Sequence, residues 1–180
     1  DVRAVINSAQ SSRWAVHYGL IKLRWRVPVR KWDGVMPDPA DVDDVARTDV
    51  RLWQEFVPGL EVAICKNISS DATIKGVANG RRCSLYGVSY ASASDQDLMM
   101  QQLANALPGD VITLASPPDF VIVDLGHVRH IGDTTLLPIN PATNGILLSL
   151  TADDVDHVTC VVGDALRTAT VARFPFDLLF

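Results

Sequence analysis

The sequence predicts an α+β fold in which strands dominate, with about two helices and several hairpins in a single domain over residues 1–180. Three observations carry that expectation. Short apolar or alternating runs recur along the chain at about nine places, which suits strands of ordinary length. Only two stretches, 43–57 and 94–107, repeat apolar residues at three- and four-residue spacing. Asn79-Gly80 sits between two β-like runs, the strongest short hairpin signal, because both residues tolerate the positive φ of a type I′ turn.

Taken in order, residues 1–31 form a basic N-terminal segment ending in a strand. "IKLRWRV" alternates without a fault: Ile21, Leu23, Trp25 and Val27 point one way, and Lys22, Arg24 and Arg26 the other. A half-buried strand with a cationic outer face is expected. Gly34, Pro37 and Pro39 mark a loop, after which Asp41 or Asp43 can cap a helix. That helix would bury Ala46, Val50, Trp53 and Val57 and stop at Pro58-Gly59. "LEVAICK" is the next strand, followed by the hairpin about Asn79-Gly80.

Ser94 is the expected N-cap of the second helix, with Asp97 three residues on and Met99, Leu103, Ala106 and Leu107 on its buried side. "DVITLA" and "FVIVDL" are strands separated by Pro117-Pro118, which cannot donate to a ladder. The second has almost no polar alternation, so a central strand covered on both faces is expected. The C-terminal part predicts a strand from Ile146, an acidic turn, and a hairpin of "HVTCVV" with "ALRTATVARF" about Gly163-Asp164.

The most site-like motif is "VDLGHVRHIGDTT", which sets Asp124, His127, His130 and Asp133 at intervals of three just beyond the carboxyl end of the central strand. Imidazole and carboxylate suit zinc or manganese, so His127, His130 and Asp133 are the candidate ligands and all four residues a candidate acid–base set. Gly126 and Gly132 oppose a helix that would align them. An extended chain pairs Asp124 with His130 and His127 with Asp133 instead.

The longer stretch "PPDFVIVDLGHVRHIGDTTLL" resembles the central strand and turn of STAS domains over 21 of 180 residues. That resemblance implies Thr134 as a phosphoacceptor, but Thr135-Leu136 replaces the usual small-Gly pair and the following helix is absent. Cys65, Cys83 and Cys160 are odd in number and widely spaced, unlike a disulfide framework or a CxxC zinc site. "RRCSLYG" places Cys83 on a hairpin strand, which supplies no helix dipole to activate a thiol.

Composition narrows the function classes. The hydrophobic fraction is 48% and the mean hydropathy +0.15, apolar for a chain that must cover its own surface, so burial by partners is expected. No apolar run approaches the roughly 18 residues of a membrane span, and no basic-then-apolar leader opens the chain. A soluble protein is expected, and the start at Asp1 suits a processed or trimmed terminus. The net charge of −5 hides an asymmetry, because Arg3, Arg13, Lys22, Arg24, Arg26, Arg30 and Lys31 face a single acid before residue 32.

The leading expectation is a structural subunit of a larger homo- or hetero-oligomeric assembly, a viral or phage capsid protein among the cases, without a cofactor. Lys22, Arg24, Arg26, Arg30 and Lys31 would contact nucleic acid or an acidic neighbouring subunit. The rival is a small hydrolase acting through Asp124, His127, His130 and Asp133, and a third reading is a regulatory binding module. No GxGxxG, P-loop, GxSxG or HExxH pattern supports a named enzyme class.

Overall fold

A computed structural model describes residues 2–32, 47, 49–67, 77–127, 134–150 and 165–178. The fold is mixed α+β and dominated by strands, as the sequence predicts. The described residues form two α-helices and eleven strands in three sheets.

The chain begins with a helix that its apolar pattern does not announce. Helix α1, Val2–Tyr18, contains neither Gly nor Pro. Its inner face carries Ser8, Ser11, Ser12 and Ala15, of which Ser11 and Ala15 are fully buried. Gly19 at φ 62 ends the helix: its N–H bonds to Val16 O at 3.3 Å and Leu20 N–H to Ala15 O at 2.8 Å, the paired bonds of a Schellman cap.

Strand β1, Lys22–Arg26, is central in the first sheet. It runs antiparallel to β3, Trp53–Phe56, and parallel to β6, Val111–Thr113. The helix expected over 43–57 is therefore corrected: Val50–Leu52 is a 3-10 turn capped by Asp49, and 53–56 is a strand. The rest of that stretch, apart from Arg47, lies outside the described residues. The competing signal was present in "RLWQEF", whose Leu52, Gln54 and Phe56 are buried while Arg51, Trp53 and Glu55 are only half-buried, a period of two.

The second sheet orders β2 (Val29–Trp32), β10 (Ala165–Arg173) and β9 (Ala142–Leu150). Strand β10 pairs antiparallel with β9 along its whole length, from Ala165↔Leu150 to Arg173↔Ala142. The partner expected for it, 157–162, lies outside the described residues.

The third sheet has order β11-β4-β5-β7-β8. Its strands are β4 (Glu61–Ile64), β5 (Arg82–Ser89), β7 (Phe120–Asp124), β8 (Leu136–Ile139) and β11 (Phe176–Leu178). The turn at Asn79-Gly80 exists, with Arg81 N–H donating to Ala78 O at 3.0 Å, but it is not type I′. Only Gly80 has positive φ, 87°, so the turn has the type II pattern. The run before it, 71–76, lies outside the described residues, and the described neighbours of β5 are β4 and β7. Strand β7 is interior as expected, yet only Val121 and Val123 are fully buried; Phe120, Ile122 and Asp124 are half-buried. Helix α2, Ala93–Ala104, starts two residues earlier than expected, with Ser92 as N-cap and Asp95 in the capping-box position.

The core joins the first and third sheets through Leu23, Trp25, Phe56, Val62 and Val121, with Phe174 between β10 and β11. Trp25 and Phe174 meet edge to face at 5.8 Å, a favoured aromatic geometry. Buried Gln54 uses both ends of its amide on one residue: Nε2 donates to Phe174 O at 3.0 Å and Oε1 accepts from Phe174 N–H at 2.9 Å. This clamp satisfies two buried backbone groups that no ladder reaches. No described helix is long and apolar enough to cross a membrane.

Candidate functional site

The alternation of β1 holds, but its polar face is not a uniform cationic stripe. Helix α1 lies across β1 and β3 and covers Lys22. Lys22 is 3% exposed, and its Nζ pairs with Glu55 Oε1 at 2.7 Å and donates to Ser12 Oγ at 2.9 Å. Glu55 also accepts from Ser8 Oγ at 2.8 Å and Ser11 Oγ at 2.5 Å. The serines of α1 thus answer a buried ion pair, as a buried charge requires. Lys22 is withdrawn from the expected partner-binding set because it is spent inside the molecule.

Beyond the reach of α1 the same face opens. Arg24 is exposed, its Nε donates to Thr113 Oγ1 at 2.8 Å, and its guanidinium lies 4.8 Å from the centre of the Trp53 ring. Arg26, directly opposite Trp53 in the register, is half-buried. Arg30 and Lys31 belong to β2, and their side chains lie outside the described residues.

Arg24 and Trp53 form one wall of a groove that Arg47, Arg51 and Arg173 also line. One carboxylate, Glu55, lines this groove among the described residues, and it is already paired with Lys22, while Asp49, outside the lining, pairs with Arg51. Burial alone would raise the Asp49 carboxyl. Its bonds from the Arg51 side chain and backbone N–H outweigh that and hold it below the ordinary aspartate range. Guanidinium groups from three places in the chain, Arg24, the Arg47–Arg51 segment and Arg173, thus line the groove beside an aromatic ring, with that of Arg51 paired to Asp49 and its one lining carboxylate answered by Lys22. Sequence reasoning found Arg24 but missed Trp53, Arg51 and Arg47, because it read 43–57 as a helix with Trp53 on the buried side. Arg173 is brought in by the fold from 149 positions beyond Arg24, which no local pattern signals.

The histidine motif assembles less than its spacing suggests. Asp124 ends β7, and its Oδ1 accepts from Gly126 N–H at 2.9 Å and Thr135 Oγ1 at 2.6 Å. The Thr135 hydroxyl, then the Gly126 N–H, lowers its pKa below the ordinary value of 3.8 and ties the end of β7 to Thr135. His127 is exposed, and His130 and Asp133 lie outside the described residues. Among the described residues no three His, Cys, Asp or Glu side chains stand close enough to hold a metal ion. Thr134 is exposed, its Oγ1 accepts from Leu136 N–H at 3.1 Å, and strand β8 follows where the STAS resemblance would place a helix. Cys83 is buried, and burial pushes its thiol up to about 11, more than nearby Arg81 pulls it down. A nucleophile of that kind would be protonated at neutral pH.

No protein-family model matches the chain, and no curated protein matches it. Among solved structures, the crystal structure of Pif1 helicase from Candida albicans aligns with a TM-score of 0.41 and 11% identity. The alignment covers 94% of this chain and 32% of that one. A likeness of that degree carries no argument about this protein.

Proposed function

We propose that the chain is a non-catalytic subunit of a nucleoprotein assembly and that the groove at Arg24 and Trp53 grips a nucleic-acid backbone. The observation that supports this reading is the convergence of Arg24, Arg47 and Arg173, with Asp49-paired Arg51, on one groove beside Trp53, whose one lining carboxylate, Glu55, is already paired with Lys22. Guanidinium groups match phosphate oxygens in a planar, bidentate fashion, and the Trp53 ring, over which the Arg24 guanidinium lies, holds that cation at the groove wall. Viral and phage particles are examples of such assemblies. An acidic patch on a neighbouring subunit is the second occupant that the same groove would accept, by the same charge complementarity.

The test is fluorescence anisotropy of a labelled oligonucleotide over a series of salt concentrations. With three of the arginines on phosphates, the slope of log affinity against log salt is about −2 to −3. Arg24→Glu removes one contact and adds a repulsion, so the slope shrinks by about one and affinity falls roughly tenfold or more. Wild-type affinity for Arg24→Glu at about 50 mM salt would remove the nucleic-acid reading. Loss of self-assembly in Arg24→Glu, with no oligonucleotide binding by either protein, would assign the groove to an acidic subunit.

A further inference from the structure

We infer that the outward face of α1 in one copy of this chain docks into the apolar groove beside α2 in a second copy. The inference rests on the assembly part of the proposed function and gives that assembly its contact. The groove is walled by Met99, Met100 and Leu103 of α2, Tyr86 and Val88 of β5, and Phe56. Met100 and Tyr86 stand 53% and 60% exposed.

Charge selects the occupant. From Cys83 to His127 the chain carries five aspartates and neither Lys nor Arg. Asp95 and Asp97, in the first half of α2, and Asp110, beyond its end, are all exposed. None of these aspartates lines the groove, but Asp95 and Asp97 adjoin its Gln96 and Asp110 follows its Pro108 by two residues, so an apolar groove on an acidic stretch of chain suits a helix that carries apolar residues and positive charge together.

Helix α1 has that character. Between Val2 and Tyr18 there is no acid, whereas Arg3, Arg13 and His17 are present. Its exposed arc carries Val5, Ile6, Ala9 and Val16 with Arg13 among them, and Val16 is 69% exposed. Val5, Ala9 and Val16 follow helical spacing along one face. The opposite face is held in its own fold by Ser8, Ser11 and Ala15, so the stripe cannot turn inward. A second copy brings the two surfaces together. Exchanged reciprocally between two copies the contact closes a two-fold dimer, and passed head to tail it yields rings or filaments.

Two substitutions at exposed positions test this in the full chain, Val16→Asp on the helix and Met100→Asp in the groove, with far-UV circular dichroism to confirm that both fold. By sedimentation velocity, wild type is expected to form dimers or larger species as its concentration rises to about 100 µM, and to do so less in high salt. Each variant alone is expected to associate at least about tenfold more weakly, which corresponds to losing one buried apolar anchor. An equimolar mixture is expected to give a one-to-one heterodimer that stops there, since each variant supplies the half that the other lacks. A wild type that remains at 19.6 kDa removes both the assembly and the contact. Growth of either variant like wild type, or a mixture that does not pair, removes the contact and leaves the assembly standing. A monomeric wild type whose groove binds a synthetic Arg/Leu amphipathic peptide, and loses it in Met100→Asp, would assign the groove to a foreign helix and overturn the inference.

Discussion

Replacing Lys22 with Met removes one half of an ion pair that the fold has enclosed. Glu55 then keeps its Ser8 and Ser11 donors but loses its cation. Breaking a buried pair by removing one partner costs roughly 3–5 kcal/mol, because a charge is left uncompensated. The Glu55 side chain is 14% exposed and can recover some hydration, so the lower end, about 3 kcal/mol, is expected. For a domain of this size that corresponds to a melting temperature lower by about 6–12 °C. The double variant Lys22→Met with Glu55→Met removes both charges. Ser11 retains Ser8 O as a partner at 2.9 Å, so chiefly the Ser8 hydroxyl is orphaned and the total cost falls to about 1 kcal/mol. Urea unfolding of wild type, both single variants and the double variant completes the cycle. The double variant should be more stable than Lys22→Met alone. A Lys22→Met loss below about 0.5 kcal/mol, or additivity of the two single changes, would refute the enclosed-pair account.

Three further outcomes are expected. With a thiol pKa of about 11, Cys83 is only about a thousandth thiolate at pH 8, so iodoacetamide should label exposed Cys65 and leave Cys83 intact until urea unfolds the chain; prompt labelling of native Cys83, read by peptide mass spectrometry, would contradict its burial. Thr135→Val should raise the Asp124 pKa toward its ordinary value, as followed by NMR titration. Since the folded carboxyl is the lowered one, its stabilising contribution is present above the unfolded value near 3.8 and lost as pH falls through the folded value, and the variant should show less of that acid-limb loss. Gly80→Ala forces a side chain onto φ 87° and should cost about 1 kcal/mol in chemical denaturation, whereas Gly87→Ala, with open space and ordinary φ, should be near neutral.

The strands of the third sheet were legible because their residues obey one rule at a time. "LEVAICK" and "FVIVDL" are short, apolar and bounded by turns, and both are strands. Helix α1 was hidden for a physical reason: the face it buries is made of serines that serve Lys22 and Glu55, so hydrophobic periodicity has nothing to report there. Residues 50–56 satisfied two periods at once, and the register with β1 decided between them. Of the groove, Arg24 could be read locally and Arg173 could not, because its place depends on how β10 returns to the body of the fold. The histidine motif shows the reverse case, a spacing that looks chemical while its first member, Asp124, is occupied with closing a turn.

The Gln54 clamp has a consequence for the order in which the molecule can be completed. Its amide grips the backbone of Phe174, 120 residues later, and β11 beyond Phe174 closes the edge of the third sheet against β4. On a ribosome, Gln54 and β4 emerge long before either partner exists. Until then the first sheet holds a hungry amide and the third an open edge, both of which invite the wrong partner. A nascent chain halted anywhere before Phe174 should therefore behave as unfinished, whatever helices and strands it already contains, and be handed to chaperones or proteases as such.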